Sequence, residues 1–236
     1  QKEYVQLLRG LFKGGVSTDL TIAAAYMTGI LPIKKYGTQS ALTDFREFTM
    51  TEPTVLARYV GFTEDEVKVL CEQSQMNFDD MCLWYDGYAF DDVCHVYNPN
   101  SVMNAIHNRK ALNYWTMSET FESLKSYISM NFDGLKDSVI QMMGGEQTEI
   151  DIITFQNDMT SFHSRDDVLT LLVHLGYLAY DSLNQEAYIP NREVAEVFKS
   201  SVKGGEWKPV EAAIRQAEKL LDATIRGDSD TVAALL

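Results

Sequence analysis

From Thr54 onward the chain carries a series of helix-start signals, and these constrain its fold more than any other feature. Thr63-Glu-Asp-Glu66 and Thr116-Met-Ser-Glu119 have the spacing of a capping box, in which a Thr hydroxyl and a Glu carboxylate satisfy each other's backbone donors. Asn98-Pro99 is typical of an N-cap followed by a proline in the first helical turn. Apolar residues recur at helical spacing behind each signal. The pattern predicts a mainly α chain with small β elements, an α+β fold.

A second pattern lies between Ser164 and residue 203. Ser164 is placed to cap a helix through Leu175, and Asn191 is placed to cap another. Between them, two short apolar runs flank the polar residues 181–186, which predicts a β-hairpin. Helix, hairpin and helix in this order are the outline of a winged helix.

The N-terminal part predicts a different arrangement. Residues 1–13 have the apolar spacing of a helix, which the following glycines end. Thr21–Ile33 is small and apolar on both faces, as expected of a strand that is covered on both sides. Thr28 then lies at the carboxyl end of that strand. A second strand is predicted over Phe48–Thr51, and a further one over 148–155.

Charge and composition disfavour several kinds of partner. The 236 residues carry a net charge of −14, so the electric field of the chain repels nucleic-acid phosphates. No apolar run approaches the ~20 residues that a membrane span needs. Cys71, Cys82 and Cys94 form no CxxC motif, which favours reduced thiols and a cytoplasmic location. Cys94-His95 lacks a second ligand pair, so we expect structural cysteines and no metal site.

Motifs for nucleotide and nucleic-acid chemistry are incomplete. Residues 10–17 place two glycines at the distance of a phosphate-binding loop, but Val16 stands where the lysine is required. The Glu-x-Lys pairs at 66–68 and 206–208 resemble part of a PD-(D/E)XK nuclease site, but they lie on or enter predicted helices and not paired strands. Solvated surface charges are the simpler interpretation of both.

Hydrolytic motifs are also missing. The sequence has no G-x-S-x-G motif, and its four histidines are scattered along the chain. We therefore expect no enzyme activity and no catalytic residue in this chain.

Eight short segments are distinctive in combination and run along nearly the whole chain. They are Thr28-Gly-Ile-Leu-Pro-Ile33, Ser40-Ala-Leu-Thr-Asp-Phe45, Trp84-Tyr-Asp-Gly-Tyr-Ala-Phe90, Val96-Tyr-Asn-Pro99, Tyr114-Trp115, Asn131-Phe-Asp-Gly134, Phe155-Gln-Asn-Asp-Met159 and Leu171-Leu-Val-His-Leu-Gly-Tyr-Leu-Ala-Tyr180. Together they resemble segments of the bacterial AAA-ATPase-like proteins, which combine a predicted AAA-ATPase with a C-terminal PD-(D/E)XK nuclease-like domain.

The resemblance implies a division of the chain into four regions. Residues 1–52 correspond to the C-terminal remnant of the ATPase α/β core, and 53–146 to a helical lid-like region. Residues 147–205 correspond to a winged-helix-like region, and 206–236 to a helical linker. The expected partners are then the missing nucleotide-binding segment and the nuclease-like domain of the parent protein.

The resemblance also implies one cofactor-related residue. Thr28 matches the position of a polar residue that senses the γ-phosphate in the parent, where ATP and Mg²⁺ are expected; no cofactor is expected in this chain alone. The aromatic cluster Trp84–Phe90 is expected to pack the lid against the core and not to contact ligand.

Two functions follow from these patterns. The first is a non-catalytic part of an AAA-ATPase-like protein that relays nucleotide state to a neighbouring domain. The second is a stand-alone winged-helix module that binds protein or nucleic acid. Packing of helix 192–203 against the lid favours the first function, and a basic face on that helix or on the turn at 184–186 favours the second.

Overall fold

The computed structural model describes residues 2–12, 15–31, 35–36, 39–40, 45–90, 93–115, 121–157, 161–203 and 207–235. The α-helices are α1 (Lys2–Phe12), α2 (Val16–Thr21), α3 (Glu64–Ser74), α4 (Phe78–Tyr85), α5 (Pro99–Asn108), α6 (Phe121–Ile128), α7 (Leu135–Met143), α8 (Arg165–His174), α9 (Arg192–Ser201), α10 (Lys208–Arg226) and α11 (Ser229–Leu235). A 3₁₀ helix spans Thr54–Tyr59.

The strands are short and form small antiparallel sheets. They are β1 (Lys35–Tyr36), β2 (Gln39–Ser40), β3 (Phe62–Thr63), β4 (Tyr88–Phe90), β5 (Val93–Tyr97), β6 (Thr148–Glu149), β7 (Ala179–Asp181) and β8 (Glu186–Tyr188). The strand orders are β1-β2, β3-β5-β4 and β6-β8-β7. The predicted fold class, mainly α with small β elements, is confirmed.

The strand predicted over Thr21–Ile33 is wrong for its described part. Residues 22–31 lie outside helices and strands, and most of them are exposed. The small apolar residues indicated a strand covered on both sides, but within the described residues no strand pairs with this segment. A central strand depends on neighbours for its hydrogen bonds and its burial, and Pro32 and Ile33 lie outside the described residues.

Two other strand predictions need correction. Phe48–Thr51 is a turn and not a strand: Thr49 and Glu52 exchange backbone hydrogen bonds of 3.3 and 3.2 Å. The strand expected over 148–155 is confined to β6. It ends there because the Asp151 carboxylate accepts a hydrogen bond from the Ile153 N–H at 2.8 Å, which turns the chain.

The helix-start signals are confirmed where the structure describes them. The Glu66 carboxylate accepts hydrogen bonds from the Thr63 N–H and hydroxyl, both 2.8 Å, at the start of α3. Asn98, Ser164 and Asn191 each accept a backbone N–H through their side chains at the starts of α5, α8 and α9. The capping box predicted at 116–119 lies outside the described residues.

The described residues form two large apolar cores and a smaller cluster between them. The first core lies in the aromatic unit, which we define as residues 54–115. The 3₁₀ helix, α3–α5 and β3–β5 build this unit. Its fully buried aromatic residues are Tyr85 and Tyr97, which pack with Val67, Met81 and Val102.

The second core lies in the hairpin unit, which we define as residues 121–207. Here α6, α7, α8 and α9 bury a continuous apolar cluster with the β7–β8 hairpin. Residues 167–174 of α8 are all buried, so this helix is the centre of the unit. The apolar core therefore does not divide at residue 146, because α6 and α7 share it with α8 and α9.

Beyond the second core, α10 and α11 form a helical hairpin that turns at Gly227. Val210 and Ile214 contact the second core, whereas Leu221 and Ile225 are exposed. Within the described part of the chain, no helix combines the length and apolar character needed to cross a membrane.

Candidate functional site

Thr28, the predicted sensor residue, lies on the exposed segment that follows α2. Its neighbours Leu20, Tyr26 and Ile30 are 80%, 82% and 74% exposed, respectively. Thr28 is thus not at the end of a described strand, and the structure brings it to no other predicted site residue. Its sensor role stays a prediction about the parent protein.

Over the part of the chain that the structure describes, the other motifs considered in the sequence do not assemble into a catalytic site. Helix α1 extends into the phosphate-loop lookalike as far as Phe12, and a second helix begins at Val16. Glu66 caps α3, and Lys68 forms an ion pair with Glu64 at 3.0 Å. Glu206 lies outside the described residues. Among the residues that the structure describes, no group of three or more acids, histidines or cysteines could hold a metal ion.

The structure instead brings polar groups together at the junction between the aromatic unit and the hairpin unit. The first contact is made by Gly87, between α4 and β4. Its φ is +123°, and a Cβ built on it would lie 1.9 Å from the Pro190 carbonyl oxygen. Tyr188 donates its hydroxyl to the Gly87 carbonyl at 3.1 Å. A glycine is required here because both the backbone conformation and the close approach exclude a side chain.

The second contact is made by Tyr88, the next residue. Its hydroxyl donates a 2.5 Å hydrogen bond to the carbonyl of Gly176, in the turn after α8. Its ring packs with Ala179 of β7 and with Phe90. Burial raises the pKa of the Tyr88 hydroxyl above its ordinary value, so this group stays a neutral donor. The predicted aromatic cluster therefore packs the aromatic unit against the hairpin unit.

The third contact is made by Glu193, in the first turn of α9. This carboxylate is fully buried, and its Oε1 accepts the backbone N–H groups of Tyr114 and Trp115 at 2.6 and 3.0 Å. The Glu193 carbonyl accepts the Asn113 amide at 3.0 Å. Helix α9 is thereby fixed to the segment that follows α5.

The ionisation of Glu193 is opposed by its surroundings. Burial raises the pKa of the carboxyl group, and the hydrogen bonds from the two backbone N–H groups offset part of that effect. Ser101 also lowers this pKa, although its hydroxyl and Glu193 Oε2 do not reach hydrogen-bond geometry with each other. A buried acid that accepts only neutral donors serves to hold two segments together.

A fourth contact lies at the rim of the junction. The Arg192 guanidinium stacks over the Trp84 ring, 4.5 Å from its centroid. Arg192 also approaches Glu196 at 3.5 Å, and Lys199 approaches Glu218 of α10 at 3.3 Å. Both basic residues of helix α9 thus have acidic partners, which leaves little of this face for phosphate groups.

The groups at this junction hold segments of the chain in position. Its described residues include no activated nucleophile beside a base. Sequence reasoning missed it because its donors and acceptors lie far apart in the chain, as with Tyr114 and Glu193. The signals that were available are Gly87 within an aromatic run and a Glu in the first turn of an otherwise apolar helix face.

Comparisons with family models, with curated proteins and with solved structures find no match for this chain.

Proposed function

We propose that this chain is a non-catalytic, lid-like and winged-helix-like portion of an AAA-ATPase-like protein. In that parent it relays the nucleotide state to a neighbouring domain. The observation that carries the proposal is the packing of α9 and the β7–β8 hairpin onto the aromatic unit. A relay requires that a displacement of one unit moves the other, and the contacts of Gly87, Tyr88 and Glu193 join the two units in this way.

Exposed apolar residues at the end of α2 and in the segment after it support a partner for this part of the chain. Leu20, Tyr26 and Ile30 lie within about ten residues of each other and are each more than 70% exposed. Large apolar side chains exposed this close together along the chain favour an interaction site over a free surface. In the proposal its cover is the nucleotide-binding segment of the parent, which would bind ATP with Mg²⁺ and place Thr28 near the γ-phosphate.

The second candidate is a stand-alone interaction module that binds protein. Leu183 supports it, because this side chain is 92% exposed at the turn of the hairpin. Nucleic acid is the less favoured partner, because the turn is flanked by Asp181 and Glu186 and carries no basic residue from 181 to 186. We expect no sub-micromolar, salt-sensitive binding to duplex DNA, since non-specific binders have dissociation constants of roughly 10⁻⁴–10⁻⁶ M.

Calorimetry with Mg-ATP tests the nucleotide part of the proposal. The chain alone should show no binding, because one hydrogen bond from Thr28 contributes about 0.5–1.5 kcal/mol. Micromolar affinity corresponds to about 8 kcal/mol. In the parent, Thr28→Ala should reduce single-turnover hydrolysis more than it reduces ATP binding. Micromolar ATP binding by the chain alone, or unchanged hydrolysis in the variant parent, contradicts the proposal.

Limited proteolysis of the parent with and without Mg-ATP tests the relay. We expect nucleotide to change the cleavage of the hairpin unit, and Gly87→Ala to abolish this change while ATP binding persists. Gly145→Ala is the matched control, since Gly145 has a φ of +88° but nothing within 4 Å of its Cβ position. A Gly87→Ala parent that responds to nucleotide as the unchanged protein does would refute the relay.

A further inference from the structure

Strand β5 contains a bulge beside the end of α4. Tyr88 pairs with Val96 and Phe90 with Val93, so two residues of β5 lie opposite one of β4. One of these two is His95, whose φ of +62° is in the left-handed region. A residue other than glycine keeps this conformation only where its surroundings hold it, and such positions often serve a function.

Asp86 is the group that holds the imidazole in this position. His95 Nδ1 lies 2.6 Å from Asp86 Oδ2. The other oxygen of the same carboxylate accepts the Gly87 N–H at 2.7 Å. One carboxylate therefore connects the imidazole to Gly87, whose backbone lies against Pro190 of the hairpin unit.

We propose that Asp86 and His95 form a proton-controlled clamp on the junction between the aromatic unit and the hairpin unit. With His95 protonated, the charged pair fixes the Asp86 carboxylate and with it the Gly87 peptide that meets Pro190. When His95 loses its proton, only a hydrogen bond from the neutral imidazole is left to hold the carboxylate, and the junction loosens. This inference goes beyond the proposed function and does not depend on it.

The charges around His95 set the direction of the effect. The hydrogen bond and the charge of Asp86 raise the pKa of His95, burial lowers it, Glu64 raises it and Lys68 lowers it. Lys68 is itself paired with Glu64 at 3.0 Å. The net result is a pKa above the ordinary value of about 6.5.

The sign of the pH dependence follows from this raised pKa. Stabilisation by the clamp is fully present below about pH 6.5, the pKa of an unperturbed histidine. It is lost as the pH rises through the higher pKa of His95 in the folded protein. The effect is modest, because the His95 side chain is 55% exposed and solvent screens the pair.

Hydrogen exchange monitored by mass spectrometry from pH 5.5 to 8.5 tests the clamp on this chain. Exchange rates are corrected for the intrinsic effect of pH, and the readout is the protection of peptides spanning 84–90 and 186–192. We expect protection to fall by about 1.5- to 5-fold between the two ends of this range, as an exposed ion pair allows. A carbon–proton correlation spectrum should show His95 titrating above pH 6.5 in the same protein.

Two independent variants separate the clamp from a merely structural role. His95→Asn removes the proton-binding group but keeps a residue that tolerates the left-handed conformation. Asp86→Asn removes the charge and should lower the His95 pKa. Both should lose the pH dependence of protection, whereas His107→Asn, a change at an exposed residue of α5, should keep it.

If His95→Asn or Asp86→Asn keeps the full pH dependence, another group controls the junction. If His95 titrates above pH 6.5 while protection stays constant from pH 5.5 to 8.5, the pair does not act on the junction. A His95→Asn variant that fails to fold leaves Asp86→Asn to decide between these results.

Discussion

Truncation of Glu193 should weaken the protein far more than neutralisation of its charge. Glu193→Ala leaves the backbone N–H groups of Tyr114 and Trp115 without their acceptor. A buried unsatisfied donor costs about 1–3 kcal/mol. The Tyr114 bond is fully buried and the Trp115 bond partly so, and removal of a buried charge offsets part of the loss. We expect a fall of about 2–4 kcal/mol in the free energy of unfolding, or roughly 5–15 °C in Tm for a chain of this length.

Glu193→Gln should behave differently, because its amide oxygen can still accept both N–H groups. Its amide nitrogen can also face the Ser101 hydroxyl, which has no partner in the unchanged protein. We expect a change of less than about 1 kcal/mol at pH 7. Burial raises the pKa of Glu193 in the folded protein, so ionisation costs stability as the pH rises from about 4.5 through that pKa. The stability of the Gln variant relative to the unchanged protein should therefore increase over this window.

Thermal and urea unfolding, followed by circular dichroism between pH 4.5 and 8, measures these differences. Glu196→Ala is the matched control on the same helix, because Glu196 is partly exposed and only approaches Arg192 at 3.5 Å. It should change the free energy of unfolding by no more than about 0.5 kcal/mol. Equal loss of stability in the Ala and Gln variants of Glu193, or no loss in either, would refute the role assigned to the buried carboxylate.

Three further changes probe the junction and the hairpin unit. Gly87→Ala should lower the free energy of unfolding by more than about 1 kcal/mol, and Gly145→Ala by about 1 kcal/mol. Both positions have a positive φ, but only Gly87 also lies against Pro190. Urea unfolding of the two variants measures the difference, and equal losses would contradict a steric role for Gly87. Tyr88→Phe should cost about 0.5–1.5 kcal/mol through its lost hydrogen bond, and an unchanged urea midpoint would show that this bond adds nothing. Asn191→Ala should cost about 1 kcal/mol through the lost cap of α9, with thermal unfolding as the measurement and an unaltered Tm as the contrary result.

The helices of this protein follow from local chemistry, which is why the sequence predicts them well. A capping side chain and its backbone partner are at most three residues apart, as with Thr63 and Glu66 or Asn191 and Val194. The β7–β8 hairpin is similarly local, since its two strands are joined by a four-residue turn. Each of these elements is decided by neighbours in the chain, so no knowledge of the fold is required.

Segments whose state depends on distant partners were predicted poorly. Thr21–Ile33 has the composition of a buried strand, but its described residues lie uncovered because no described strand pairs with them. Strand β5 was missed because His95 interrupts its alternation with a left-handed residue that Asp86 holds in place. Periodicity cannot report a partner that lies elsewhere in the chain or outside it.

The candidate site belongs wholly to the tertiary structure. The sequence alone determined that α9 begins after Asn191 and that a Glu occupies its first turn. Only the fold decided that this Glu is buried against the N–H groups of Tyr114 and Trp115, 79 and 78 residues away along the chain. The physical reason is that helix capping and hairpin turns are short-range interactions, whereas burial of a carboxylate and the approach of Gly87 to Pro190 exist only after two units have packed together.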